Sequence, residues 1–123
     1  MNNQKKFGVW MDNYNASIVS PDDEADGGYR FLTEVTSEQT TQGPSQKNSN
    51  NQEIMLQGKF FKEISSHLVN ATHVHLTGTG KAQEQFIRYL SETPQYKNVD
   101  TSESTSNKMS EDRLVEFMQE KLK

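Results

Sequence analysis

The segment that most constrains this chain runs from His73 to Leu90, HVHLTGTGKAQEQFIRYL. Thr72-His73-Val74-His75-Leu76 is short, β-prone and bounded by glycine, which predicts a strand. Thr77-Gly78-Thr79-Gly80 predicts a turn. Ala82, Phe86 and Leu90 then recur at steps of four, with Tyr89 beside them, the apolar stripe of a helix. A strand that feeds a helix through a glycine turn is the building block of an α/β domain.

The same turn invites a phosphate-binding reading. Gly78-Thr79-Gly80-Lys81 at a strand-to-helix junction offers backbone N–H groups, a positive helix end and a lysine. The P-loop pattern is incomplete, because Ala82 stands where the magnesium-binding hydroxyl belongs and His75 where the first glycine belongs. Gln83 occupies the third glycine position of a dinucleotide fingerprint. Turn chemistry, with both glycines taken for their access to positive φ, is the simpler account.

A chain of 123 residues is the size of one ordinary domain, and residues 1–123 read as a single unit. Only 31% of the residues are hydrophobic, so the core must be small and drawn from a few periodic segments. The absence of cysteine excludes disulfides, a thiolate nucleophile and a cysteine-based zinc site. No signal peptide or bilayer-spanning run is visible, which predicts a cytoplasmic protein with no membrane partner. The net charge of −4 argues against indiscriminate nucleic-acid binding through a broad basic surface. Acids cluster at Asp22-Asp23-Glu24 and Asp26, whereas Lys47, Lys59, Lys62, Lys81 and Arg88 are scattered and need the fold to gather them.

Along the chain, Lys6–Met11 predicts a first strand with Phe7, Val9 and Met11 on one side. Asp12-Asn13-Tyr14-Asn15 is a turn cluster, and Ala16–Ser20 resumes the β pattern as the second arm of an antiparallel hairpin. Pro21 is read as the break, and an acidic loop leads to a third strand over Tyr29–Val35. In that strand Tyr29, Phe31, Thr33 and Val35 alternate against Arg30, Leu32 and Glu34. Residues 36–52, TSEQTTQGPSQKNSNNQ, contain no large apolar side chain, which predicts a mobile polar loop.

A helix is expected from about Gln52 to Val69, with Ile54, Phe61, Ile64 and Leu68 on its apolar face and Asn70 at its end. Beyond the central unit, Thr93-Pro94 stops the helix, Tyr96–Thr101 is expected as a polar edge strand and Thr101–Asn107 as a loop. A last helix is signalled by Ser110 as N-cap, acids in its first turn and Met109 stapled to Leu114. Leu114, Phe117, Met118 and Leu122 form its buried face. The order β-β-β-α-β-α-β-α predicts an α/β, ribonuclease-H-like three-layer domain with a mixed five-stranded sheet.

With that order, Val74–Leu90 resembles the strand, small-polar glycine turn and following helix, here K-x-x-x-x-F-x-x-Y-L over Lys81–Leu90, of the central domain of Pelota and eukaryotic class-1 release factors. It is also similar to their small bacterial and archaeal relatives, of host-attachment or translational-machinery type. Val99-Asp100-Thr101-Ser102-Glu103-Ser104, followed by Lys108–Val115, resembles the edge strand and final helix start of those relatives, so the likeness covers nearly the whole chain. In release factors, the resemblance implies a Gly-Gly-Gln in the loop before the long helix, where it directs ester hydrolysis at the peptidyl-transferase centre. Here that loop has Gln42-Gly43-Pro44 and no Gly-Gly-Gln, and Gly27-Gly28-Tyr29 lies before the third strand. The resemblance therefore implies a non-enzymatic, translation-associated module that binds ribosome or RNA (rRNA or tRNA), without peptide release and without a cofactor. Its expected contact residues are Gln42, Gly43, Gln46, Lys47 and Asn48 of the loop and Thr77, Gly78, Thr79, Gly80 and Lys81 of the turn.

Two other classes compete. Ribonuclease-H-like folds include two-metal nucleases and phosphatases, and Asp12 at the end of the first strand is the candidate carboxylate, with Asp100 and Asp112 as distant partners. A turn residue that caps its own backbone explains Asp12 more simply. His73 and His75 share a strand face but lack a third metal ligand, so packing or a strand-end hydrogen bond is the simpler reading. Trp10 and Tyr14 are candidates for base stacking, although burial under a helix on the second sheet face accounts for Trp10. The third class is an adaptor or homodimer that pairs through an exposed edge strand.

Overall fold

The computed structural model describes residues 5–22, 28–37 and 49–122. Its elements are β1 (Lys6–Met11), β2 (Asn15–Asp22), β3 (Gly28–Thr36), α1 (Ser49–Ser66), β4 (His73–Gly78), α2 (Lys81–Glu92), β5 (Asp100–Thr105) and α3 (Glu111–Lys121). The five strands form one mixed sheet in the order β3-β2-β1-β4-β5. β1–β2 and β2–β3 are antiparallel, whereas β1–β4 and β4–β5 are parallel. β1, β3, β4 and β5 therefore all run the same way.

Strand alternation divides the core. Phe7, Val9 and Met11 project to one face, where they join Val74 and Leu76 under Phe61 and Ile64 of α1 and Phe86 and Leu90 of α2. Aromatic edges set that packing: Phe61 meets Phe86 at 5.2 Å and Tyr89 at 5.6 Å between ring centroids. Trp10 and Val19 project to the opposite face and pack with Leu114, Met118 and Leu122 of the α3 region. α3 comes close because Gly8 has no side chain where Met118 lies. Ser110 Oγ accepts the Arg113 N–H at 3.3 Å, and Met109 packs on the cluster that contains Leu114, as the cap and staple signals require.

Several expectations need correction. Pro21 does not break β2; it pairs with Tyr29, beyond the last β1 partner at Gly8↔Val19, where one side of the strand has no ladder to serve. The alternation of β3 is interrupted because Ile18 pairs with Thr33 but Val19 with Phe31, leaving Leu32 as a bulge. Tyr29 consequently packs toward the α3 face while Leu32 and Val35 serve the other. Helix α1 begins at Ser49 and ends at Ser66, and Asn70 takes φ 60° in the following turn rather than at the helix end. Ile54 continues the stripe of Phe61 and Ile64 but is 69% exposed.

The last strand is Asp100–Thr105, not Tyr96–Thr101. Tyr96 instead sits in the preceding turn, where its hydroxyl donates to Ser65 O at 2.7 Å. Thr77 and Gly78 belong to β4, so the turn proper shrinks to Thr79 and Gly80. Among the described residues, no helix is long and apolar enough to cross a membrane.

Candidate functional site

The β4–α2 turn lies at the carboxyl end of β4, beside the ends of β1 and β5. Gly78 pairs with Met11 on one side and with Thr105 on the other. The two glycines serve different purposes. Gly80 adopts φ 132°, a conformation that side chains disfavour, and so turns the chain into α2. Gly78 has no such φ; a Cβ there would overlap the Met11 carbonyl oxygen. Positive φ therefore accounts for one glycine and close approach of backbone for the other.

The turn is tied from below by Gln83, which is fully buried. Its Oε1 accepts the Gly80 N–H at 2.9 Å, and its Nε2 donates to Ser104 O at 3.0 Å. That bond uses the Gly80 donor at the mouth of α2, one of the groups a bound phosphate would recruit. Thr79 and Lys81 are exposed, whereas Thr77 is fully buried. Of the five turn residues expected to contact a partner, Thr79 and Lys81 present side chains outward and Thr77 does not.

Thr77 belongs instead to a hydrogen-bonded relay on the α3 face. Ser104 O–H donates to Thr77 Oγ1 at 2.9 Å, and Thr77 and Ser106 hydroxyls lie 2.8 Å apart. His75 Nε2 lies 2.8 Å from Ser104 Oγ and its Nδ1 2.7 Å from Ser102 Oγ. Because Ser104 gives its only proton to Thr77, His75 Nε2 carries the hydrogen and Nδ1 accepts from Ser102. Burial first, and then the Lys121 ammonium, hold the His75 pKa below its ordinary value, which suits this neutral tautomer. Trp10 Nε1–H donates to Ser106 O at 3.3 Å and joins the buried indole to the same relay.

His73 and His75 are thus separated in role, since His73 Nε2 lies 3.3 Å from Asp100 Oδ2 at the strand start. Asp12 is committed to its own turn: Oδ1 accepts the N–H groups of Tyr14 at 2.8 Å and Asn15 at 2.7 Å. Asp100 lies at the opposite end of the parallel strands, against His73. Among the described residues, no group of three or more His, Cys, Asp or Glu is arranged to hold a metal. Trp10 is buried and Tyr14 is 47% exposed.

Gln42, Gly43, Gln46, Lys47 and Asn48 lie outside the described residues, as do Asp23, Glu24 and Asp26. β3 ends at Thr36, and helix α1 begins at Ser49. β3 runs parallel to β4, so its end at Thr36 is at the same end of the sheet as Thr79–Lys81. Ser37 N–H donates to Tyr14 O at 2.7 Å there, and an open cleft of about 310 Å³ is lined by Thr36, Ser37, Leu56, Lys59, Phe60 and Glu63. Lys59 and Lys62 on α1 and Lys81 and Arg88 on α2 are exposed on the two helices that cover one sheet face, interspersed with Glu63, Glu84 and Glu92. The Gln57 amide donates to Gln85 Oε1 at 2.8 Å and bridges those helices.

Gln83, Ser102, Ser104 and Ser106 were not among the expected site residues. Their sequence signal is a period-two run of small hydroxyls that can face a neighbouring polar strand, and it becomes readable only once the partner is known to be β4.

No protein-family model matches this chain, and no curated protein matches it. Solved structures do share its fold. Pelota from Archaeoglobus fulgidus aligns with 98% of this chain at 12% identity and a TM-score of 0.64, using 32% of the Pelota chain. Pelota from Thermoplasma acidophilum aligns with 94% at 20% identity and a TM-score of 0.62, again over 32% of its own chain. An archaeal translation termination factor, aRF1, aligns with 98% at 13% identity and a TM-score of 0.61, over 35% of its chain. The chain spans about a third of each of these proteins, and the likeness is one of fold.

Proposed function

We propose that this chain is a non-enzymatic, translation-associated module that binds the ribosome or its RNA, built as a single ribonuclease-H-like domain over residues 1–123 and acting in the cytoplasm. The observation that carries this reading is the agreement of nearly the whole chain with one third of Pelota and of a translation termination factor. The contact residues are Gln42, Gly43, Gln46, Lys47 and Asn48 together with the exposed Thr79 and Lys81; Thr77, Gly78 and Gly80 shape the turn that presents Thr79 and Lys81. Support comes from the common location of Thr36 and the turn at one end of the sheet, and from the exposed cations of α1 and α2. The segment between β3 and α1 contains no Gly-Gly-Gln, so peptide release is not part of the activity.

Co-sedimentation with ribosomes through sucrose gradients, over a series of salt concentrations, tests the reading. The expected result is a ribosomal peak that weakens as salt rises. Replacement of Gln42 to Asn48 by a Gly-Ser linker should abolish it, and Lys81→Glu should weaken it at every salt concentration. A wild-type chain that stays at the top of the gradient in low salt overturns the proposal.

A further inference from the structure

We propose that the outer edge of β5 is a docking site for an extended basic peptide, which adds to the sheet as a sixth strand. Asp100 N–H donates inward to Thr72 O at 3.0 Å, and Ser106 N–H donates inward to Gly78 O at 2.9 Å. Even-numbered residues therefore serve the ladder with β4, and alternation turns the N–H and C=O groups of Thr101, Glu103 and Thr105 outward. Those three residues are exposed, and β5 ends the sheet among the described residues. The inward side chains of Ser102 and Ser104 are bonded to His75, which fixes the register of β5 before a partner arrives.

The two sheet edges differ in their protection. β3 carries the Leu32 bulge, and its Glu34 pairs with Lys108 at 3.7 Å. β5 has no bulge, proline or lysine over its six residues, so three of the devices that block strand addition are missing from it. Its only charges are Asp100 and Glu103. A second copy pairing antiparallel about the strand centre would bring two Glu103 carboxylates together, and nucleic-acid phosphates would meet the same repulsion. A peptide with Lys or Arg opposite Glu103 converts that repulsion into attraction.

The test is an NMR titration of the ¹⁵N-labelled full chain with the capped peptide Val-Lys-Val-Lys-Val-Lys-Val. The amides of Thr101, Glu103 and Thr105 should shift and gain protection from hydrogen exchange. Glu103→Lys should weaken binding at least about fivefold, and Glu103→Gln by less. Thr101→Pro, which removes an outward donor and leaves the inward ladder intact, should also weaken it. Shifts centred elsewhere, or equal binding by the peptide with Glu in place of Lys, overturn the proposal. Saturation of the same amides by oligouridine would assign the edge to RNA, and their concentration-dependent broadening without peptide would assign it to a second copy; either result also overturns it.

Discussion

The two faces of the sheet are held by different physics although the same strands supply both. On the α1/α2 face, Phe7, Val9, Leu76, Phe61 and Phe86 meet in a continuous apolar layer. On the other, the apolar cluster around Trp10 and Met118 lies over β1 and β2, and the floor over β4 and β5 becomes His75, Thr77, Ser102, Ser104 and Ser106. Burial of apolar surface is non-directional and tolerates repacking. The relay is directional: it holds one strand register and one histidine tautomer. The apolar face thus supplies most of the cohesion, and the polar face specifies where the edge strand docks.

The largest effect expected from this contrast is on the apolar side. Phe86→Ala should cost about 3–5 kcal/mol, because the ring is fully buried between Phe61 and Tyr89; denaturant unfolding would measure it. A loss below about 1 kcal/mol would show that the layer is not the main source of stability.

On the polar side, His75→Ala should cost about 1–3 kcal/mol by leaving Ser102 and Ser104 without their shared partner. Its signature is local, with hydrogen exchange accelerating in β5 before the rest of the sheet. The pH dependence sharpens the distinction. The folded pKa of His75 lies below the ordinary 6.5, so the unfolded chain protonates first. Stability from neutral His75 is therefore complete above the unfolded value and is lost as pH falls toward the folded one. The His75→Gln variant should lack that component in a series of melting temperatures; superimposable pH profiles would remove His75 from the account. The smallest effect is a gain: Gly58 lies inside α1 with open space around it, and Gly58→Ala should raise stability by about 0.5–1 kcal/mol.

How much of this was legible beforehand depended on whether the signal was local. β1, the β4–α2 unit and the cap of α3 follow from alternation, a four-residue stripe and an N-cap serine, each expressed within a few neighbouring residues. β5 is invisible to local patterning because Asp-Thr-Ser-Glu-Ser-Thr has no apolar residue of its own, and its strand is made by pairing with β4. In the sequence Gln83 stands out only as a departure from a glycine motif, yet it ties the turn to β5. Of the contact residues expected in the turn, the sequence could not tell exposed Thr79 from buried Thr77, since both are threonines beside Gly78 and differ only in that Thr77 lies inside β4 and Thr79 just beyond its carboxyl end.

The sequence alone therefore determined the order of the elements, the apolar face of each helix and the absence of any cysteine chemistry, because those properties are set by local periodicity and by residue identity. The tertiary structure decided the bulge at Leu32, the exposure of Ile54, the relay through His75 and the open edge of β5. Each of these depends on what stands opposite a residue in space, and a chain read one residue after another carries no record of that neighbour.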